Sequence, residues 1–392
     1  MAKTILKGLK IKSPASDDPL WHGPESDHEL GGVTQSMIGD FLTCRERFRV
    51  KYVLGLRAPD HFSHHLEYGQ MWHVCEEAFA GFNDDGKYKV GKPDVWEPAL
   101  RVYVDALVKR YPFDRERIAH WYNVCKFQFP LYVDHWRKHP DVKNRTPLMQ
   151  EQVFRVPYAL PSGRVVHLRG KFDSVDLIDK GIYLQENKTK GDVDPVALQR
   201  QLKFDLQTML YLVALYELID NAKAGDKMFP IDRGRPKGVR YNVIRRPLSG
   251  GKGSIQRHKA KITKKGTTPE ESLESFYARA AQYVRDEPEH YFMRWRSEVS
   301  ERDVTKFRRE CLDPILEQMC AWYEWVTHIN DVWSINGDKS TPPRHAELCH
   351  WRHPFGVDNQ IDSYGCTDLD NYLDTGSEIG LRKVTTLFSE LQ

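Results

Sequence analysis

The sequence predicts an α/β fold with a small mixed central sheet, helices on the faces of that sheet, and a large helical periphery. Apolar residues recur at helical spacing before residue 148, whereas strand patterns follow between residues 152 and 190. A long helical pattern then separates these strands from a further strand at 238–246, and helical patterns resume after residue 270. This order of elements suggests a sheet that is covered by helices.

The composition is that of an ordinary globular protein. Hydrophobic residues make up 40% of the 392 residues and charged residues 29%, which allows a sizeable core and two or three structural units. We expect no membrane span, because no run of about 18 apolar residues occurs. The region from Met1 to Ser16 lacks the apolar stretch of a secretory signal, so we expect a cytoplasmic protein. The net charge of +3 does not exclude a nucleic-acid enzyme, because a local basic patch matters more than the sum.

The N-terminal part is predicted to be an arm followed by helices. Residues 1–32 are rich in Gly, Pro, Ser, Asp and Lys, and we expect them to be flexible. Ser36 suits the N-cap of a first helix, because apolar residues from Met37 to Tyr52 recur at helical spacing. Further helices are predicted at about 68–82, 96–111 and 114–138.

Strand patterns begin near Leu148. Three strands are predicted at 152–158, 165–178 and 182–190, and the last two are joined at Asp179-Lys180-Gly181. A long helix is predicted at 195–220, after Asp194-Pro195, and a fourth strand at 238–246. Residues 247–269 are predicted to be an exposed loop, and residues 270 to about 335 to be mostly helical.

The second and third predicted strands carry charged residues in a suggestive pattern. Side chains alternate along a strand, so Glu186 and Lys188 share one face. If the turn between the strands has an even number of residues, such as Lys180-Gly181, Asp173 lies opposite Lys188 and on that same face. An odd turn without a bulge places Asp173 on the other face.

These residue types suit a metal-dependent reaction. Two carboxylates on one face repel each other unless a cation joins them, and oxygen ligands favour Mg²⁺ or Mn²⁺. Such a cation polarises a phosphoryl oxygen and lowers the pKa of a bound water, while Lys188 can hold that water and stabilise negative charge. The chemistry implied is phosphodiester hydrolysis. The alternative is a solvated strand face with ordinary charges, because this spacing alone is a weak pattern.

Four sequence blocks occur in order between Ser36 and Tyr211. They are Ser36 to Phe48 with the following Gly55-Leu56, then Tyr68-Gly69-Gln70-Met71-Trp72-His73, then the hairpin with Gly170, Asp173, Glu186 and Lys188, and finally Gln207-Thr208-Met209-Leu210-Tyr211. Together they resemble the PD-(D/E)XK nucleases, and in particular the RecB-like branch. That branch includes the CRISPR-adaptation exonucleases and many phage recombination nucleases. The resemblance implies a restriction-endonuclease-like core for this chain.

The resemblance also implies roles for individual residues. Asp173 and Glu186 would bind the metal, and Lys188 would be the catalytic lysine. The backbone carbonyl of Asn187 would be a further ligand, and His73 would complete the metal shell. Without the neighbouring Gly69 of the family pattern, His73 would be read as a helix histidine near the surface.

Further residues are predicted to touch the substrate or to support the hairpin. Gln207 and Tyr211 are four positions apart and share one helix face, and Arg200 and Lys203 fall on nearly the same stripe. That face can approach a phosphate backbone or buttress the hairpin, although helix packing explains Tyr211 equally simply. Lys190 can touch DNA or be an ordinary solvated lysine.

The cysteines raise the question of an iron–sulfur cluster, which several RecB-like nucleases carry. Cys44 occupies the early position of that cluster, and Cys349 and Cys366 follow the core. However, Cys349 and Cys366 lie far apart, whereas the family has a tight pair followed closely by another cysteine. We therefore expect no such cluster. Zinc binding by Cys349 with His350 and His353 is a further alternative.

The segment from Lys237 to Pro269 contains many Lys and Arg residues but no Asp or Glu. A basic loop beside the sheet would attract phosphates and make binding salt-dependent. The alternative is a solvated loop without a specific partner. The sequence shows no base-reading module such as a zinc finger, so we expect no sequence specificity from this chain alone.

The sequence therefore predicts a Mg²⁺- or Mn²⁺-dependent deoxyribonuclease in the cytoplasm of a bacterium or a phage-infected cell. The resemblance to the RecB-like branch implies an exonuclease in recombination, repair or phage replication, with DNA and a recombination or replication protein as partners; the oligomeric state is not predicted. The alternatives are a non-catalytic nucleic-acid-binding scaffold and a structure-directed endonuclease within a complex. The predicted parts are an N-terminal arm (1–32), a helical region with the histidine (33–147), the nuclease core (148–246), a basic loop (247–269) and a helical C-terminal region (270–392).

Overall fold

The computed structural model describes residues 19–43, 45–57, 61–80, 95–137, 139, 145–203, 205–222, 234–248, 254–263, 266–328, 361–362, 365–366, 382–388 and 391. None of the helices in these ranges is both long enough and apolar enough to cross a membrane.

The strands, in chain order, are β1 (Leu56–Arg57), β2 (Arg145–Ala159), β3 (Val165–Ile178), β4 (Gly181–Lys190), β5 (Pro236–Arg245), β6 (Lys261–Thr263), β7 (Gly266–Thr268), β8 (Phe292–Glu298), β9 (Ile361–Asp362), β10 (Gly365–Cys366) and β11 (Arg382–Lys383). Five of them form the central sheet, in the order β2-β3-β4-β5-β8. β4 and β5 are parallel, whereas β3–β4 and β5–β8 are antiparallel pairs. The predicted small mixed sheet is therefore confirmed.

The helices are α1 (Gln35–Thr43), α2 (Arg45–Phe48), α3 (His64–Ala80), α4 (Trp96–Arg110), α5 (Arg115–Arg137), α6 (Pro195–Leu202), α7 (Leu206–Asp220), α8 (Leu273–Asp286), α9 (Pro288–Tyr291), α10 (Glu301–Phe307) and α11 (Asp313–His328). Two π-helical turns, Arg49–Val53 and Arg308–Leu312, follow α2 and α10, and a 3-10 turn, Pro112–Asp114, precedes α5.

The long helix expected at 195–220 is two helices in the structure. α6 ends at Leu202, and α7 begins at Leu206 with Asp205 as its N-cap. The Asp205 carboxylate accepts a hydrogen bond from the Thr208 amide, which satisfies a helix donor that has no partner within the helix. An aspartate N-cap in the middle of an apolar pattern thus marks the start of a new helix.

The described residues from 270 to 328 are mostly helical, as expected, but residues 292–298 within this stretch form the strand β8, which was not predicted. Its pairing with β5 joins residues about 50 positions apart, such as Val243 and Met293, and periodicity within a short segment cannot show such a partner. In addition, the expected exposed loop contains a short hairpin, in which Lys261 pairs with Thr268.

The chain forms two compact units. Unit 1 contains Met1–Asp60, Val153–Gly170 and Thr305–Gln392, and unit 2 contains His61–Gln152 and Lys171–Val304. These units consist of separated chain segments, whereas the predicted parts follow one another along the chain. The five-part division stays a prediction.

Part of the segment expected to be a flexible arm belongs to the packed interior of unit 1. Trp21 is fully buried, and its ring lies edge-on to Phe48 and Tyr323 at centroid distances of 5.1 and 4.9 Å. The Val33 amide donates to the His167 carbonyl at 2.8 Å, which ties this segment to β3. Packed structure therefore includes residues from Trp21 onward, although order was expected to start near Ser36.

Unit 2 is built on an aromatic core formed chiefly by α3, α4 and α5. Within it, the Trp72 ring lies 5.3 Å from Phe129 and 5.1 Å from Tyr132, edge-on in both cases. α3 also lies close to β4, because a Cβ atom at Gly69 would be only 3.4 Å from Thr189 Oγ1. This packing brings His73, one turn after Gly69, to the sheet.

Candidate metal centre and active site

The hairpin between β3 and β4 turns through Asp179 and Lys180. Both residues have positive φ angles, 49° and 68°, as a two-residue turn of the I′ type requires. The turn has an even number of residues, as expected, but it lies one residue earlier than Lys180-Gly181. Ser174 therefore pairs with Gln185. Asp173 was expected opposite Lys188, but the observed register places it opposite Glu186, two residues earlier in β4. Because a shift of two residues is even, every side chain stays on its predicted face.

One residue beyond that pair, the β3 and β4 strands carry the two acidic residues of the motif. Asp173 is buried, and its Oδ2 accepts a hydrogen bond from the Asn187 amide at 2.7 Å. Burial and the nearby Glu186 carboxylate together raise the pKa of Asp173 to about 8. Two carboxyl groups thus face each other in a site that water reaches poorly.

Lys188 lies on the same face and is held from two sides. Its ammonium group donates to Glu186 Oε1 and to Gln207 Oε1, both at 2.7 Å. Burial disfavours the charged lysine, but the Glu186 carboxylate outweighs this effect and raises the pKa of Lys188. The lysine is therefore positively charged at neutral pH.

His73 reaches the same cluster from α3. Its Nδ1 atom lies 3.0 Å from Glu151 Oε1 and 3.8 Å from Asp173 Oδ1. Burial disfavours the imidazolium form, but the carboxylates of Asp173 and Glu151 outweigh it and raise the pKa of His73 to about 10.

Glu151 is a site residue that the sequence analysis missed. It lies in β2 with a positive φ of 47°, and its buried side chain is shared between His73 and the Lys171 ammonium group, which is 2.8 Å away. Burial opposes ionisation, yet these two cations lower the pKa of Glu151. The available signal was an acidic residue in a strand next to the hairpin, which is common in strands that carry no site.

The donor set fits a divalent cation. One ligand atom each from His73, Glu151 and Asp173 lies within 4.8 Å of the other two. In addition, Glu186 Oε2 is buried and has no hydrogen-bond partner among the described residues. Buried carboxylate oxygens without partners are costly, and a hard cation such as Mg²⁺ or Mn²⁺ would satisfy them.

Asn187 was predicted to bind the metal through its backbone carbonyl, and in the structure its backbone amide and side chain form hydrogen bonds that support the site. Its backbone amide holds Asp173, and its side-chain oxygen accepts from Asn242 Nδ2 at 2.9 Å, on the face away from Lys188. The role of its carbonyl stays a prediction.

The predicted supporting residues divide into two groups. Gln207 and Tyr211 are brought to the site: Gln207 binds Lys188, and burial and the nearby Glu186 carboxylate raise the pKa of Tyr211. The Tyr211 ring also packs edge-on to Phe172 at 5.8 Å. Arg200 and Lys203 are exposed and precede the start of α7, so the continuous helix face that was to unite them with Gln207 does not exist.

A second basic group lies beside the end of β4. The Arg246 amide donates to the Lys190 carbonyl at 2.7 Å, and the Arg246 guanidinium contacts His65 Nδ1 at 2.8 Å. Burial and the charges of Lys188 and Arg246 lower the pKa of Lys190, although Asp205 partly opposes them. Arg240, Arg245 and Arg246 are all buried, so these three arginines of the basic segment do not belong to an exposed loop.

The proposed cluster cysteines cannot be compared with this site. Cys44 and Cys349 lie outside the described residues, as do His350 and His353, and Cys366 is described only as part of the short strand β10. The expectation that no iron–sulfur cluster is present therefore stays a prediction.

Comparison with known families gives one match. The model of a family described as the PD-(D/E)XK nuclease superfamily matches residues 33–324 of the 392. This range includes every residue of the acidic cluster and Lys188. A comparison with curated proteins found no match.

Proposed function

Because this chain belongs to the PD-(D/E)XK nuclease superfamily, we propose that it hydrolyses DNA phosphodiester bonds with Mg²⁺ or Mn²⁺ at a centre containing Asp173, Glu186 and Lys188. The observation that carries this proposal is the partly buried group of His73, Glu151 and Asp173, whose ligand atoms lie within 4.8 Å of one another. Next to it, Lys188 supplies a positive charge. A cation beside a fixed ammonium group can polarise a phosphoryl oxygen and stabilise the negative charge that develops during phosphodiester hydrolysis.

The metal ligands in this proposal are His73, Glu151, Asp173 and Glu186, and the Asn187 carbonyl is a further one. When bound, the cation would act as a Lewis acid on a phosphoryl oxygen. Four protein donors with three carboxylates favour Mg²⁺ and Mn²⁺ over softer metals, and the imidazole favours Mn²⁺ of the two.

The protein groups position the reactants. Lys188 uses two of its three N–H bonds on Glu186 and Gln207, so one N–H is left among the described residues for a phosphate oxygen or for the attacking water. Because it is charged, Lys188 acts as a hydrogen-bond donor that stabilises negative charge rather than as a base.

We further propose that the enzyme is an exonuclease that acts in DNA recombination, repair or phage replication, together with a recombination or replication protein. This part of the proposal is supported by the resemblance of the four sequence blocks to the RecB-like branch. Lys190, which is partly exposed next to the centre, is suited to hold a phosphate of the strand.

Digestion of linear and closed circular DNA tests both parts of the proposal. We expect Mg²⁺ or Mn²⁺ to support loss of linear DNA only, and we expect EDTA or Lys188→Ala to abolish it. Nicking of the closed circular DNA would show that the enzyme is an endonuclease and not an exonuclease. Cleavage that persists in EDTA would refute the metal-dependent centre, and DNA binding without turnover in any metal would indicate a non-catalytic scaffold.

A further inference from the structure

A pocket lies at the open edge of the central sheet, in unit 2. Among the described strands, β8 has a neighbour on one side only, so its other edge is unpaired. The pocket has a volume of about 420 Å³ and is lined by four consecutive residues of β8 and by residues of α5, α6 and α9. Its volume is within the range of pockets that hold small organic ligands.

Aromatic rings dominate the lining. Trp136 and His135 of α5 meet edge-on at 4.6 Å, and Phe292 lies 5.8 Å from His135. Trp295 lines the pocket as well, and its ring is tilted at 5.7 Å from Tyr241. Flat aromatic surfaces of this kind bind the faces of nucleobases.

The pocket also contains an arginine, Arg294, that forms no ion pair with the described residues. The Arg294 guanidinium lies 3.9 Å from the centre of the Trp136 ring. Its hydrogen-bond acceptors are neutral: the Tyr132 hydroxyl at 3.1 Å and Asn242 Oδ1 at 3.3 Å. Glu289 lines the pocket, but no carboxylate of the described residues forms an ion pair with Arg294.

The surroundings of Arg294 add to its positive charge. The buried carboxylate of Asp176 already binds two other arginines, Arg145 at 2.8 Å and Arg240 at 2.9 Å. Burial, together with the charges of Arg145 and Arg294, lowers the pKa of Arg240 to about 9 in spite of Asp176. A partly buried cation without a counter-ion is costly, and an anionic ligand removes this cost.

We infer that this pocket binds a nucleotide, with the base against the partly exposed Trp295 ring and the phosphate at Arg294. The inference rests on the proposed function, because a nuclease can bind a nucleotide from either of two sources. One is an unpaired nucleotide of the substrate strand, and the other is a released mononucleotide. The pocket is formed by residues other than those of the acidic cluster, so it is a separate binding site.

Binding without cleavage tests the inference independently of nuclease activity. The full chain is labelled with 5-fluorotryptophan and titrated, in EDTA, with deoxyadenosine monophosphate and separately with a short oligothymidylate. Fluorine NMR resolves the ten tryptophans, and Trp295→Phe assigns the pocket signal. We expect the Trp295 signal to shift. Shifts with both ligands identify a site for free nucleotides, and a shift with the oligonucleotide alone identifies a site for the strand.

Variants of Arg294 complete the test. We expect Arg294→Met to weaken binding about tenfold or more, because a charge-assisted contact is lost, and Arg294→Lys to retain more of it. Arg285→Met is the matched control, since Arg285 is an exposed arginine on α8. No shift with either ligand, or equal affinities for Arg294→Met and Arg285→Met, would overturn the inference. If the shifts occur but no metal supports DNA cleavage, the pocket stands and the proposed nuclease activity fails.

Discussion

Lys188 is the residue whose removal should separate catalysis from metal binding. Its ammonium group contacts Glu186 and Gln207 and carries a positive charge, so it repels a cation rather than binding one. We expect Lys188→Ala to lower kcat about 100-fold or more, as the loss of a single charge-stabilising donor does, without weakening Mn²⁺ binding. Steady-state kinetics and a Mn²⁺ titration measure the two effects.

Lys190→Ala is the matched control for this substitution. Lys190 lies two residues further along β4 on the same face and is partly exposed. We expect its loss to raise KM and to leave kcat nearly unchanged. If both substitutions lowered kcat equally, Lys188 would have no catalytic role beyond that of a nearby positive charge.

His73 makes metal binding sensitive to pH. Its pKa is raised to about 10 in the metal-free protein, so it carries a proton at neutral pH. A metal ligand must be deprotonated, and Mn²⁺ binding therefore releases this proton. We expect the affinity for Mn²⁺ to increase with pH up to about 10, by nearly tenfold per pH unit between pH 8 and 10 and more steeply below pH 8, where the Asp173 carboxyl is protonated as well. Calorimetric titrations in buffers of different ionisation enthalpy measure the released proton directly.

His73→Gln is the control for that experiment. It removes the titrating group, so the affinity should be lower and should depend less on pH. The Asp173 carboxyl, whose pKa is raised to about 8, leaves a residual dependence in the same direction. An affinity that is independent of pH in the unmodified protein would contradict the assignment of His73 as a ligand.

At the residue scale, the sequence is informative where the spacing itself determines which side chains meet. Glu186 and Lys188 share a face in any strand, and in the structure Lys188 Nζ lies 2.7 Å from Glu186 Oε1. Glu151 could not be found in this way, because its position depends on an irregular backbone in β2 and on contacts with His73 and Lys171 from elsewhere in the chain. Arg240 was counted in the basic segment that was expected to attract phosphates, although it is buried, because charge alone does not reveal its partner Asp176.

At the scale of elements, the hairpin shows what alternation can and cannot predict. An even turn was expected and is present, so Asp173 lies on the face of Glu186. Whether the turn is Asp179-Lys180 or Lys180-Gly181 could not be decided, since each contains a residue that tolerates a positive φ. The pairing therefore shifted by two residues while the composition of each face was unchanged.

The break between α6 and α7 can be tested through its cap. Asp205 accepts the Thr208 amide at the start of α7, so we expect Asp205→Ala to lower the free energy of unfolding by about 1 kcal/mol. If 195–220 were one continuous helix, alanine in its middle would instead raise that free energy. Urea unfolding gives the sign. Asp205→Asn, which can still cap the helix but has no charge, should retain nearly full stability.

At the scale of the whole molecule, the sequence predicted the class of fold better than its assembly. A mixed sheet with flanking helices follows from the order of the local patterns, whereas the membership of β8 depends on its pairing with β5. The division into two units is also not visible locally, because each unit combines separated segments of the chain. All proposed metal ligands nevertheless belong to unit 2.

The metal site should contribute to the stability of the folded chain. A cation that binds the native state but not the unfolded chain stabilises by mass action, by about 2.7 kcal/mol at a concentration of 100 times its Kd. We therefore expect Mn²⁺ to raise Tm, and we expect Glu151→Gln to remove most of this increase because a ligand is lost. Glu77→Gln is the matched control, since Glu77 also interacts with Lys171 but is not in the three-residue group. A Tm that Mn²⁺ does not change would contradict the metal site as a whole. An increase in Tm that Glu151→Gln retains in full would show that Glu151 is not a ligand, because its carboxylate would then add nothing to the stabilisation by Mn²⁺.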